Sequence, residues 1–295
     1  MVVALTPNLT LDRTLHLDRA LTPGELHRAP QVSVAAGGKG VNLARAVRAF
    51  GGAVCVAGVV GGFNGAHFRV LLEREGLGGV LEHGEGETRE CHILLREGGA
   101  HPTEVYEAGP PYSPGATARL LARLPAGQVV VCGSLAPATP PGAFRETLRA
   151  LGRPVVDSSG PGLRAAVEVG AAMIKPNAHE LEALTGSGTL DAARALHRRS
   201  GVTVLLTRGA GGAAYIGEEL WEAQSPPVEV RNPVGSGDTL LGAFLQARVA
   251  GRNVPDALRL AVAAGTANAH LGGPAHFRAE VAHELVAQVR LRAPV

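Results

Sequence analysis

The chain has 295 residues, with 28 basic against 26 acidic side chains and a formal net charge of +2. A balance so near neutrality gives no electrostatic basis for binding nucleic acid or an anionic membrane, while a 45% hydrophobic content supplies a core for one compact domain of two or three layers. No apolar run approaches the roughly 20 residues that span a bilayer, and the opening MVVALTPNLTLDR lacks the features of a signal peptide, so a cytoplasmic protein is expected.

Residues 13–34 alternate, as in TLHLDRAL, and lack helical periodicity, which predicts strands. The next stretch, Ala35-Ala-Gly-Gly-Lys-Gly-Val-Asn42, runs into the helical pattern LARAVRAFGG. Its glycine-to-lysine spacing is not that of a Walker loop, and neither Ser nor Thr follows Lys39. Gly37 and Gly38 let the backbone approach a ligand closely, with Lys39 and Asn42 available for polyhydroxyl or phosphate groups. A glycine-rich turn ahead of a capped helix explains the same residues.

From Gly40 to Leu81, VNLARAVRAF, AVCVAGVV and AHFRVLLEREG read as helix, strand and helix. The rhythm breaks again at 88–106, around CHILLREGG. Together with 13–34 this predicts a small separate sheet at one edge of the main domain. Too small to be stable alone, it is expected to cover a site, to pair with a second subunit, or both.

From about Gln128 onward, QVVVC, PVVD, AAMIK and VTVLLT alternate with PGAFRETLRAL, GLRAAVEV, NAHELEAL and LDAARALHRR. Such alternation predicts βαβ units on a largely parallel sheet, with ligands at the carboxyl ends of the strands. Lys175-Pro-Asn177-Ala-His-Glu180 follows one of those strands. Asn177 and Glu180 have the spacing of a capping box. The same carboxylate and amide also suit the water shell of a magnesium ion and a nucleotide phosphate. Thr207-Arg-Gly209-Ala-Gly-Gly212 opens another glycine loop at the same sheet edge, followed by the hairpin-like AAYIGEELWEA and then a helical tail.

The sharpest local signal is Asn232-Pro-Val-Gly-Ser-Gly-Asp238 before the helical DTLLGAFLQARVA. Proline and two glycines force a tight turn that presents free N–H groups at a helix N-terminus, where an anion is favoured. Asp238 is open to two readings, a helix N-cap or a general base beside the site of phosphoryl transfer.

Of the 28 basic residues only Lys39 and Lys175 are lysine. A chain that otherwise uses arginine marks these two as candidate positions for a compact ammonium. Cys55, Cys91 and Cys132 lie far apart without metal or disulfide spacing and read as buried small residues. The eleven histidines form no HExxH motif or tight cluster, which argues against a histidine metal site. Asp157-Ser158-Ser159 closes a strand and reads as turn chemistry.

In this order and together, the motifs resemble those of the PfkB (ribokinase-like) carbohydrate kinases over nearly the whole chain. AAGGKGVNLARAVRAFGG is similar to the first family signature, NPVGSGDTLLGAF to the second, and NAHE to its Asn-x-x-Glu magnesium motif. The opening TPNLTLD, GETRE, TEVYEAGP, CGSLAPATP and VDSS resemble the branch acting on sugar phosphates. Within CGSLAPATP, Ala136 and Ala138 stand where proline and glycine are more usual.

The resemblance implies an α/β fold: one three-layer α/β/α domain over 1–295 with a mainly parallel central sheet, plus a β-sheet lid drawn from about 13–34 and 88–106. It implies ATP as co-substrate and Mg2+ held through water by Glu180. Asp12 would hold sugar hydroxyls, Lys39 and Arg89 would neutralise the acceptor's phosphate, and Gly37, Gly38, Asn42 and Ser134 would line the same pocket. Lys175, Asn177, Thr207, Gly209 and Gly212 would border the nucleotide. Gly235, Ser236 and Gly237 would form an anion hole, and Asp238 would be the base. The implied reaction converts fructose 1-phosphate to fructose 1,6-bisphosphate, in a homodimer joined through the lid. Phosphorylation of tagatose 6-phosphate or fructose 6-phosphate is the nearest alternative, and a non-catalytic nucleotide- or sugar-binding protein is the alternative from another class.

Overall fold

The computed structural model of the chain describes residues 1–96, 102–271 and 278–293. Residues 97–101, within the expected lid segment 88–106, lie outside that set. The chain enters as β1 (Val2–Thr6), leaves the main sheet as β2 (Thr10–Leu17) and β3 (Gln31–Gly37), and returns through α1 (Lys39–Ala49) to β4 (Val54–Val60), α2 (Gly62–Arg74) and β5 (Gly79–His83). A second excursion forms β6 (Arg89–Arg96) and β7 (Thr103–Tyr106). Alternating elements follow: α3 (Pro114–Ala122), β8 (Gln128–Cys132), α4 (Pro141–Ala150), β9 (Val155–Asp157), α5 (Gly160–Glu168), β10 (Met173–Ile174), α6 (Ala178–Thr185), α7 (Leu190–Ser200) and β11 (Thr203–Thr207). The hairpin β12 (Ala213–Ile216) and β13 (Leu220–Gln224) precedes α8 (Ser236–Val249), α9 (Val254–Leu271), α10 (Ala279–Val286) and β14 (Arg290–Arg292).

The main sheet runs β14-β13-β12-β11-β10-β9-β8-β1-β4-β5, parallel from β11 to β5 and antiparallel from β11 to β14. Its central parallel strands, β1 above all, are apolar on both faces because both are covered by helices. Along β1, Val2 and Ala4 join a core with α1, α8, α9 and α10, whereas Val3 and Leu5 join a second core with α3 to α7. The result is the expected α/β/α layering of a ribokinase-like fold. The described tail does not remain helical, as its apolar pattern suggests; after α10, β14 extends the sheet beside β13. No helix among the described residues is long and apolar enough to cross a membrane.

The second sheet has the order β3-β2-β6-β7, with β2 and β6 parallel and both outer pairs antiparallel. Residues 18–30, between β2 and β3, contain no strand. A third apolar cluster, including Leu9, Leu11, Ala36, Val41 and Phe68, ties the base of this sheet to α1, α2 and β4. Cys55, Cys91 and Cys132 are buried and free, as their spacing suggests.

One close approach brings the main motifs together. A Cβ added to Gly242 of α8 would stand 2.7 Å from the Leu43 carbonyl of α1, so only glycine lets these helices pack at this separation. Leu43 follows Asn42, and Gly242 lies one turn beyond Asp238. The same contact therefore sets both signature motifs side by side.

Candidate active site

The candidate residues converge at the carboxyl ends of the parallel strands, where the connections open a crevice. The turn before α8 carries the most constrained backbone. Gly235 occupies the N-cap position with φ +77°, a left-handed conformation that favours glycine. Asn232 Oδ1 accepts from Val234 N at 2.9 Å, and Asn268 Nδ2 donates to Val234 O at 2.8 Å and Ser236 Oγ at 3.0 Å. The turn is thus pinned before α8 starts. The first-turn N–H groups of Gly237 and Asp238 have no partner within the helix and face a site suited to an anion.

Asp238 is not the N-cap. It sits three residues into the helix after Gly235, and no side chain caps this N-terminus. Its Oδ2 instead accepts from Asn42 Nδ2 at 3.0 Å. Burial, then the charge of Asp157, pushes the Asp238 carboxyl up to about 6, against the opposing influence of Lys39, Asn42 and Lys175. It remains mostly ionised at neutral pH yet has a raised proton affinity, the condition a general base requires. Arg45 holds this arrangement from behind. Its guanidinium donates to Asn42 Oδ1 at 3.0 Å and to the Ala36 carbonyl at 2.7 Å, while paired with Glu75 at 2.6 Å. With Asn42 Oδ1 so engaged, its Nδ2 is the end presented to Asp238.

Asp157 requires a correction to its reading as a turn former. It is buried, and its two oxygens meet the two lysines of the chain, Lys39 Nζ at 2.9 Å and Lys175 Nζ at 3.2 Å. Burial alone would raise its pKa, but Lys175 and Lys39 outweigh that and hold it below the usual carboxylate range. Lys39 is likewise disfavoured as a cation by burial, yet Asp157 and Asp238 outweigh this and raise its pKa. One buried carboxylate therefore anchors two ammonium groups beside Asp238.

Two cavities meet here. The smaller, about 430 Å³, contains Asp12, Gly38, Lys39, Asn42, Arg89 and Ser134 among its walls. Gly37 lies behind Asp12 rather than in the wall; a Cβ there would fall inside the Asp12 carboxyl group. Burial chiefly pushes Asp12 up to about 7, with Arg45 opposing and Glu104 adding to the rise. Arg89 donates to the Asn8 carbonyl at 3.1 Å and lies over the Tyr106 ring, 5.3 Å from its centroid.

The larger cavity, about 1170 Å³, brings together Lys175, Asn177, Thr207, Gly209, Gly212 and the turn residues Ser236 and Gly237. Val228, Val230, Leu240 and Val262 supply apolar walls suited to a flat heterocycle. Gly212 must be glycine, since its φ is +83° and a Cβ would collide with the Ala223 carbonyl of β13. Asn177 and Glu180 form the expected capping box, each backbone N–H donating to the other's side chain at 2.8 Å. Glu180 Oε1 is not used by the cap and stands 4.0 Å from Lys39 Nζ. No group of three or more His, Cys, Asp or Glu side chains among the described residues could hold a metal ion. One carboxylate oxygen outside the capping box, on the wall of both cavities, suits Mg2+ held mainly by water and nucleotide.

Lys39, Glu180 and Asp238 line both cavities. Asp157, Arg45 and Glu104 are site residues that the motifs did not single out. The position of Asp157 at the carboxyl end of β9 was the available signal for it. The pairing of Arg45 with Glu75, 30 residues away, and the cross-strand register that sets Glu104 opposite Ile93 are not local patterns. Ala138 has φ +55°, so alanine occupies a backbone position that favours glycine, as the comparison with the usual motif suggests.

Two cavities joined at one buried carboxylate and an anion-favouring turn, on a ribokinase-like sheet, are the layout of a small-molecule kinase. The model for pfkB family carbohydrate kinases matches residues 8–278, and the chain belongs to that family. Its co-substrate is accordingly ATP. A 1-phosphofructokinase from Haloferax volcanii is 32% identical over 277 residues, covering 89% of this chain and 88% of that protein. A 1-phosphofructokinase from Bacillus subtilis is 28% identical over 284 residues, covering 91% and 92%. In fold, the structure of phosphofructokinase-2 from Escherichia coli in complex with potassium superposes with a TM-score of 0.91 at 24% identity, covering 97% of this chain and 98% of that one.

Proposed function

We propose that this kinase transfers the γ-phosphoryl group of ATP to the 6-hydroxyl of fructose 1-phosphate, giving fructose 1,6-bisphosphate and ADP. The observation that carries this reading is the position of Asp238, buried where the two cavities meet and held by Asn42 through only one of its oxygens. The smaller cavity takes the sugar phosphate and the larger takes ATP. The relatives named 1-phosphofructokinase, which align over most of the chain, support the choice of acceptor.

In this mechanism Asp238 Oδ1 receives the proton of the acceptor hydroxyl as its oxygen bonds to the γ-phosphorus and the bond to the β-phosphate bridging oxygen breaks. The main-chain amides of Gly235 and Gly237 stabilise charge on the transferred group, the Ser236 amide being engaged with the Pro233 carbonyl at 3.2 Å. Lys39 lines both cavities, so its ammonium serves the moving phosphoryl group as well as the acceptor. Arg89 serves the phosphate already on the sugar. Glu180 Oε1 is the protein oxygen that would hold Mg2+ through water, and the bound ion would neutralise nucleotide phosphate charge.

The small sheet roofs the acceptor cavity through Asp12, Arg89 and Tyr106, and in this reading acts as a lid that keeps water from the phosphoryl group. It is also the proposed homodimer contact. Val32 and Val105 are about half exposed on its strands, and Leu21 and Leu26 are exposed in the connection between β2 and β3. The test is ADP release with a panel of fructose 1-phosphate, tagatose 6-phosphate, fructose 6-phosphate and unphosphorylated fructose. The highest kcat/KM is expected for fructose 1-phosphate; a clear preference for another acceptor overturns the assignment.

A further inference from the structure

The sheet register determines which side chains face the acceptor cavity. Thr10 pairs with Arg89, Asp12 with Cys91, Cys91 with Tyr106, and Ile93 with Glu104. Because side chains alternate along strands and align across them, these positions share one face. Of them, Thr10, Asp12, Arg89, Ile93, Glu104 and Tyr106 all line the smaller cavity.

Glu104 is the member of this face without an evident task. Its Oε1 is buried and has no hydrogen-bond partner among the described residues. The nearby cation does not account for it. The Arg89 guanidinium nitrogens point to the Asn8 and Glu107 carbonyls and its plane to the Tyr106 ring; its Nε is also without a partner, and it forms no ion pair with Glu104 among the described residues. A buried carboxylate oxygen without a donor is costly and calls for one when the site fills. A neutral or cationic donor fits this oxygen, because the Glu104 carboxylate repels an anion. A sugar hydroxyl meets that requirement, and the acceptor's phosphate does not.

We propose that Glu104 is a specificity-determining residue whose Oε1 accepts a hydrogen bond from a non-reacting hydroxyl of the acceptor sugar. The assignment rests on the reading of this cavity as the acceptor site. Glu104 and Asp12 form the hydroxyl-binding part of the roof, which keeps the acceptor's phosphate away from them and toward Arg89. The division fixes which way round the sugar lies and thereby which primary hydroxyl faces Asp238. Burial is the main cause of the raised proton affinity of Asp12, and the charge of Glu104 on the same wall adds to it.

The test uses the full chain and its E104A and E104Q variants. Each is assayed for ADP release with the panel acceptor that the wild type turns over fastest, and with deoxy analogues of that acceptor lacking one non-reacting hydroxyl each. The wild type is expected to lose roughly 30-fold or more in kcat/KM at one deoxy position, since a site built to bind a hydroxyl strongly rejects the analogue without it. In E104A that loss should shrink to a few-fold at the same position only, with the KM for ATP unchanged. E104Q keeps an acceptor oxygen and should recover most of the discrimination, which guards against a general loss of structure. Equal discrimination by all three proteins at every position overturns the proposal. If the best acceptor is not fructose 1-phosphate, the substrate assignment fails while Glu104 is still judged by the same ratios. If no carbohydrate in the panel is phosphorylated, both fail.

Discussion

Replacing Asp238 by Asn separates a catalytic base from a structural residue, because the two roles predict opposite combinations of activity and stability. The amide preserves shape and can still accept from Asn42, but it cannot take a proton. Turnover should fall by about 10²- to 10⁴-fold, or about 3 to 5 kcal/mol of transition-state stabilisation. Stability should move the other way. The folded carboxyl is raised from 3.8 to about 6, so the fold favours the protonated form. Its stabilisation is fully present below pH 3.8 and is lost as pH rises through about 6. At neutral pH the ionised group therefore costs the fold on the order of 3 kcal/mol, since each pKa unit corresponds to 1.36 kcal/mol.

The neutral amide removes that cost, and the denaturant midpoint of D238N at pH 7.5 should equal or exceed that of the wild type. The kcat/KM for the acceptor, which reports the free enzyme, followed by ADP release from pH 5 to 8, should show a wild-type acid limb near pH 6 that is absent from the variant. D238N with turnover within threefold of the wild type, or inactive only because it is several kcal/mol less stable, refutes the reasoning.

Asp157→Asn leaves Lys39 and Lys175 without their shared counter-charge and should lower unfolding free energy by about 3 kcal/mol in denaturant titration, as when one partner of a buried ion pair is removed. Because the folded pKa of Asp157 is depressed, its wild-type stabilisation is present at neutral pH and lost on acidification, so the difference between the two proteins should narrow at low pH. Arg89→Ala should raise the KM for a phosphorylated acceptor by about 10- to 100-fold, the range of a lost charged hydrogen bond, with the KM for ATP unchanged; Lys39→Ala should in addition lower kcat, and equal effects of both on phosphorylated and free sugars would count against these roles. Ala138→Gly should raise stability by up to about 1 kcal/mol, because relief of left-handed strain at φ +55° exceeds the added entropy of the unfolded chain; a drop in the thermal midpoint would contradict this.

The sequence determined the elements that local periodicity and local constraint encode. Alternating apolar runs and amphipathic stretches were enough for the parallel sheet, and the missing helical period in 13–34 was enough for β2 and β3. The turn at Gly235 was legible because left-handed backbone favours glycine. The capping box at Asn177 and Glu180 was legible because its partners are three residues apart.

Tertiary structure decided what depends on residues distant in sequence. Nothing local distinguishes a cap from a base at Asp238; that it is not the cap shows only in the folded chain, where Gly235 takes that position and the carboxylate meets Asn42, 196 positions away. Asp157 resembles any turn aspartate until the ends of β9, β10 and α1 bring two lysines to its oxygens. Glu104 faces the cavity only because cross-strand register sets it on the same face as Asp12 and Arg89. Charge interactions and burial depend on distance through space, and the pKa shifts at this site exist only once the chain has closed around it.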